Sequence, residues 1–257
     1  MKRLPLRFSI LTLLITTALI AVGVRAWHRY AMFPRAQRAY QRVCRGVPLQ
    51  DEIDLVKPYL WEFPELAHER DAIHGAAKIG DVPWFRYVHK QGARLDALSV
   101  NGKNSPLFEA IYYNRCDIVA YLRDAGMDVT SWNGTGEEIG TPLQTAALAG
   151  HLEMCRLLVA EGADVNQVVD EGSSPLHSAI RSGKADVVKF LLDQGAVYPR
   201  QSQSPIAVQI RDMYPIRFAF FPPTREPVPQ DEMDEIIRLL EEKLPELAEP
   251  ASKSDSP

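Results

Sequence analysis

The chain has 257 residues and a formal net charge of −4, with an isoelectric point near 5.9. That length holds one repeat domain with a short anchoring segment. The acidic balance excludes a nucleic-acid binder that works by bulk charge, and three widely spaced cysteines exclude a disulfide framework.

The first element is apolar. Lys2, Arg3 and Arg7 precede an uncharged run from Phe8 to Val24, which as a helix spans roughly 26 Å. A bilayer core is roughly 30 Å thick, so the run predicts a single membrane-spanning helix within residues 1–25. Its Leu, Ile, Val and Phe side chains favour insertion, and Trp27 and Tyr30 follow at the position of an aromatic belt. A cleaved signal peptide is the alternative, with Val24-Arg25-Ala26 as its site, but Arg25 and the length of the apolar run count against it. Arginines lie in nearly equal number on both sides, so charge leaves the orientation open. The short basic start leans toward a following domain on the non-cytoplasmic side.

Residues 26–65 read as a basic juxtamembrane connector and N-terminal cap. Six arginines and no acid lie between Arg25 and Arg45, a pattern that fits either anionic lipid headgroups or an ordinary solvated helix. Phe33-Pro34 is expected to break the first helix. Cys44 stands alone in this basic segment. Ile53, Leu55, Val56, Tyr59, Leu60, Trp61 and Phe63 predict a divergent helix or half unit over residues 49–66, shielding the open end of a helical stack.

A repeating block fills residues 66–199. Pro106-Leu107-Phe108-Glu109-Ala110, Pro142-Leu143-Gln144-Thr145-Ala146-Ala147 and Pro175-Leu176-His177-Ser178-Ala179 recur at steps of 36 and 33 residues. Each leads into an Asp- or Leu-initiated apolar run and then a glycine, as in Gly162-Ala163-Asp164-Val165-Asn166. A weaker copy starts at Ala72-Ile73-His74-Gly75-Ala76-Ala77. Proline suits the first turn of a helix, and Gly150 suits a helix end with positive φ. Leu152, Cys155, Leu158 and Val159, like Val187, Val188, Leu191 and Leu192, have helical spacing. No unit of this size buries its apolar face alone, whereas a stack does. Leu143, Leu158, Leu176 and Leu191 are therefore core candidates, and Cys116 and Cys155 are packed thiols.

The repeat resembles the ankyrin family, with its Thr-Pro-Leu-His-x-Ala run in a unit of about 33 residues. The fold class expected is thus all-α: an ankyrin-type helix-turn-helix solenoid with short projecting β-turns, preceded by a single N-terminal transmembrane helix. In the family the signature histidine has a structural hydrogen-bonding role, which the resemblance carries to His74 and His177, and His151 also matches a family position. Both His74 and His177 are expected to be largely buried.

Residues 200–244 read as a divergent repeat or C-terminal cap. Ser204-Pro205-Ile206-Ala207-Val208 looks like another unit start, and Asp234-Glu235-Ile236-Ile237-Arg238-Leu239-Leu240 like its second helix. Between them lies an insertion containing Phe218, Phe220, Phe221 and several prolines. Residues 245–257 have the composition of a disordered tail.

No catalytic constellation is present. The chain lacks a His-Glu-x-x-His pair, a phosphate-binding glycine loop and a Gly-x-Ser-x-Gly elbow. The acids Asp164, Asp170 and Glu171 around one turn lack the spacing of a calcium loop. An enzyme using residues 200–244 is the remote reading, because that segment holds neither Cys nor His. No cofactor, metal, nucleic acid or small-molecule substrate is implied.

What remains is surface. The resemblance implies that partners meet the residues just after the Ala-Ala positions, at the ends of the first helices. Here these include Lys78, Tyr112, Tyr113, Leu148 and Arg181, to which Trp132 in the long turn Met127–Gly140 is added. Tyrosine is enriched at interface hot spots, so Tyr112, Tyr113 and Trp132 are expected to be exposed. The reading is a membrane-tethered module that binds a protein partner and contacts the bilayer through residues 8–24, with an exported soluble binder as the alternative.

Overall fold

The computed structural model describes residues 10–46, 48, 50–99, 104–131, 140–168, 174–198 and 229–245, with side chains from residue 17 onward. Among these residues the regular structure is helical. The chain opens with a 36-residue helix α1 (Ile10–Arg45), followed by α2 (Gln50–Leu60) and a short 3-10 helix (Pro64–His68). Four antiparallel pairs follow: α3 (Ala72–Ile79) with α4 (Val82–Lys90), α5 (Pro106–Tyr112) with α6 (Cys116–Asp124), α7 (Pro142–Ala149) with α8 (Leu152–Ala160), and α9 (Pro175–Ser182) with α10 (Ala185–Asp193). A last helix, α11 (Gln230–Lys243), closes the described chain.

The recurring Ser/Thr-Pro-Leu triplet is a helix start written in three residues. Ser105, Thr141 and Ser174 are the N-caps, and their hydroxyls accept from the backbone N–H of Phe108, Gln144 and His177. Gln144 reciprocates by accepting from the Thr141 N–H at 3.1 Å, which completes a capping box. Each such cap contributes about 1 kcal/mol. Proline then occupies the first turn, and the leucine points into the stack: Leu107, Leu143 and Leu176 are all buried. At the other end of the helix Gly150 takes φ of 74°, and Asn114 does the same service in the preceding unit with φ of 55°.

The helices form two rows. First helices pack in the order α1, α3, α5, α7, α9, and second helices in the order α4, α6, α8, α10, α11. Leu143, Leu158, Leu176 and Leu191, the core candidates, are buried between the rows. Successive turns are also joined: the Asn166 side chain accepts from Val197 N–H at 2.8 Å and donates to the Gly195 carbonyl at 3.1 Å.

The expected break at Phe33-Pro34 does not occur, and Pro34 lies inside α1. Proline inside a helix costs about 3 kcal/mol. Beyond it, however, Ala36, Ala39, Tyr40, Val43 and Cys44 are buried against α3, and large apolar side chains gain roughly 1.5–3 kcal/mol each on burial. Polar ties add to this. Tyr40 donates to the Ala72 carbonyl at 2.9 Å and accepts from the Trp84 indole at 3.2 Å. Gln37 and Gln41 both donate to the Glu69 carboxylate, at 2.6 and 2.8 Å. The second half of α1 is thus the first helix of the cap, a role that the sequence suggested for residues 49–66 alone. Cys44 is not isolated but packed against Gly75, and burial pushes its thiol up to about 12.

At the far end α11 packs on α10 with Met233, Ile236, Ile237, Leu239 and Leu240 buried. Lys184–Glu232 at 3.3 Å and Lys243–Asp193 at 2.9 Å tie the two helices. The Ser204–Val208 unit start, the Phe218–Phe221 insertion and the tail beyond residue 245 lie outside the described residues. Of the expected anchor, residues 8 and 9 are also outside, and residues 10–16 are described as backbone only. Among the described residues no helix is long and apolar enough to cross a membrane.

Candidate interaction surface

The ends of the first helices line up along the stack, and burial sorts them into two groups. Lys78 on α3 is only 3 % exposed, which corrects the expectation that it meets a partner. Its ammonium donates to the carbonyls of Gly46 at 2.6 Å and Cys44 at 3.2 Å, the last groups of α1, which lack partners within their own helix. It also lies 3.6 Å from the Glu109 carboxylate on α5. Burial raises the Glu109 pKa, and Lys78 together with the Asn104 side chain at 3.1 Å opposes that rise. Lys78 therefore joins three elements and presents no charge to solvent.

On α5, α7 and α9 the corresponding residues are half-buried. Tyr112, Tyr113, Leu148 and Arg181 all reach the surface, though neither tyrosine has the substantial exposure expected of it. Phe108 and Tyr112 stack with ring centroids 6.0 Å apart, and Tyr112 meets Tyr113 edge-on at 5.1 Å. Burial, and then the nearby Glu109 charge, raise the Tyr113 phenol above its ordinary value, so it stays neutral. Burial lowers the Arg181 pKa. Tyr112, Leu148 and Arg181 each take part in interactions within the chain. Trp132 lies outside the described residues.

Phe108 is the member that sequence reasoning passed over. It holds the slot of the signature histidine in its unit, one helical turn before Tyr112. An aromatic in place of that histidine, four residues from a tyrosine, was the available signal.

Two histidines hold the scaffold. His74 is 1 % exposed, and its Nε2 donates to the Ala97 and Asn104 carbonyls at 3.0 and 3.2 Å. Burial lowers its pKa, and Nδ1 is buried without a hydrogen bond. His151 precedes α8 and donates to the Tyr112 carbonyl at 2.9 Å, which fixes the end of α5 that bears the two tyrosines. His177 is half-buried rather than largely buried, and burial lowers its pKa as well. Among the described residues no group of three His, Cys, Asp or Glu could hold a metal ion.

A family model described as ankyrin repeats (3 copies) matches residues 132–202, and this part of the chain carries ankyrin repeats. The pairs α3–α4 and α5–α6 precede the matched stretch and keep its helix order, with Ala72 in place of the proline and Phe108 in place of the histidine. Similar curated proteins include an L-asparaginase of Dirofilaria immitis, 32 % identical over 49 % of this chain and 21 % of its own length. A homolog of transient receptor potential cation channel subfamily A member 1 from Caenorhabditis elegans is 30 % identical over 52 % of this chain and 11 % of its own. Protein phosphatase 1 regulatory subunit 27 of Homo sapiens is 43 % identical over 21 % of this chain and 35 % of its own. The chain thus spans about a tenth to a third of the length of these relatives. Their diverse names and short shared stretches point to a common scaffold rather than a common activity. Ankyrin repeats of this kind imply a protein-protein interaction module.

Proposed function

We propose that this chain, whose residues 132–202 are ankyrin repeats, is a membrane-tethered, non-catalytic module that recognises a protein partner along the first-helix row. The observation that carries the site is the Phe108–Tyr112–Tyr113 aromatic run along α5 and its C-cap, continued by Leu148 and Arg181 on α7 and α9. These residues sit on a packed scaffold, so a partner meets a surface that needs little ordering on binding. Lys78 drops out of the set because it is committed to the cap.

The tether is supported by α1. Leu19, Ile20, Val22 and Val24 are 59–66 % exposed, and at 100° per residue they spread around the helix rather than along one face. No charge interrupts residues 17–24, and Trp27, 70 % exposed, and Tyr30, 85 % exposed, follow. Apolar side chains bare on all sides suit a lipid environment better than water. The helix continues through Val24–Ala26, the site that the exported alternative would need cut.

Two measurements test the reading. After carbonate washing the full chain should stay with the membrane pellet, and a mature N-terminus near Arg25–Trp27 in mass spectrometry would transfer the case to the exported form. A photo-crosslinker at position 113 should give a discrete protein adduct in membranes, while one at position 156 on the second-helix row should not. Equal labelling, or adducts from position 156 alone, would remove the partner from this face.

A further inference from the structure

The two ends of the described stack carry opposite charge. On α1, Arg35, Arg38, Arg42 and Arg45 fall at spacings of three and four, so they form one stripe. All four are exposed, and the stripe lies on the side of α1 opposite the buried Ala36, Ala39, Tyr40 and Val43. Arg42 pairs with Glu52 at 3.9 Å. Among the described residues Arg35, Arg38 and Arg45 form no ion pair. At the other end, Asp231, Asp234, Glu241 and Glu242 of α11 are exposed on the side away from α10, and Arg238 in their midst pairs with Glu235.

We infer that copies of this chain associate head to tail, the arginine stripe of α1 in one copy lying along the acidic face of α11 in the next. The lengths agree: Arg35 to Arg45 spans roughly 15 Å and Asp231 to Glu242 roughly 17 Å along their helices. α1 ends the row of first helices and α11 the row of second helices, so the contact joins the first-helix row of one copy to the second-helix row of the next. A head-to-tail contact of this kind is heterologous and forms rings or open rows. Lipid headgroups are the poorer occupant of the stripe. In a tethered chain Arg42 and Arg45 lie roughly 27 and 32 Å beyond Val24 along α1, against a screening length of about 8–10 Å. Exposed ion pairs are individually weak, so the association is weak and salt-sensitive, and tethering in one plane raises its effective concentration. The inference stands on the two end faces, and only the preference over lipid headgroups rests on the proposed tether.

The test is sedimentation of the full chain in mild neutral detergent. Wild type should self-associate at about 0.05 M ionic strength and dissociate at about 0.5 M. Arg38→Glu with Arg42→Glu should weaken association by about tenfold or more, as should Asp234→Lys with Glu241→Lys, since attraction turns to repulsion in each. All four positions are exposed, so circular dichroism should be unchanged. An equimolar mixture of the two variants should associate, because the reversed stripe of one meets the reversed face of the other. Monomers at every salt concentration, or association indifferent to both reversals, would overturn the inference. It would also fall if Arg38→Glu with Arg42→Glu left self-association intact and instead released the chain from phosphatidylserine vesicles, which would assign the stripe to lipid.

Discussion

Replacing Lys78 by methionine separates a cap residue from a partner-binding residue. Methionine keeps the length and apolar stem of lysine but not its charge. Two carbonyls at the end of α1 lose their donor, and the buried Glu109 loses its cation. Breaking a buried pair by removing one member costs about 3–5 kcal/mol. Glu109 keeps its bond from Asn104, and its raised pKa lets it take up a proton, which places the expected cost at the lower end, about 3 kcal/mol. For a chain of this size that is a fall of roughly 6–12 °C in melting temperature. A carboxylate whose folded pKa lies above its unfolded value loses stability as pH rises, so the deficit should be smaller at pH 5 than at pH 7. Adding Glu109→Gln should recover part of the loss, because the amide still accepts from Asn104 without a buried charge. Thermal unfolding followed by circular dichroism at both pH values checks each point. If Lys78→Met melts like wild type, or Glu109→Gln deepens the loss, the network does not hold the cap.

The core and two of the imidazoles give two more expected outcomes. Leu158→Ala should lower unfolding free energy by roughly 2–5 kcal/mol, the range for a cavity at a fully buried leucine, read from denaturant titration; a loss below about 1 kcal/mol would mean the stack relaxes into the gap. Burial lowers the pKa of His74 and His177 below the ordinary 6.5, so the unfolded chain takes up protons first. Their contribution is present above pH 6.5 and is lost as pH falls from there through the depressed folded values. The denaturation midpoint should therefore drop on acidification from pH 7.5 to pH 6, and His74→Gln should flatten that drop; an unchanged slope would place the titration elsewhere.

The sequence by itself determined the repeating units. Ser105-Pro106-Leu107, Thr141-Pro142-Leu143 and Ser174-Pro175-Leu176 each encode a cap, a first turn and a core contact within three residues. Local backbone chemistry and helical period decide these, and neither needs knowledge of neighbours. The tertiary structure alone decided what happens where local preference and packing disagree. Pro34 signals a helix end, yet α1 runs through it because Tyr40 and Val43 gain more against α3 than one missing hydrogen bond costs. Lys78 has the composition of a surface residue, and it is buried because the carbonyls at the end of α1 and the Glu109 carboxylate, all remote from it in sequence, converge on its ammonium. Phe108 and Tyr112 share a face by spacing alone, but the degree to which that face is covered depends on long-range packing, which no window of sequence contains.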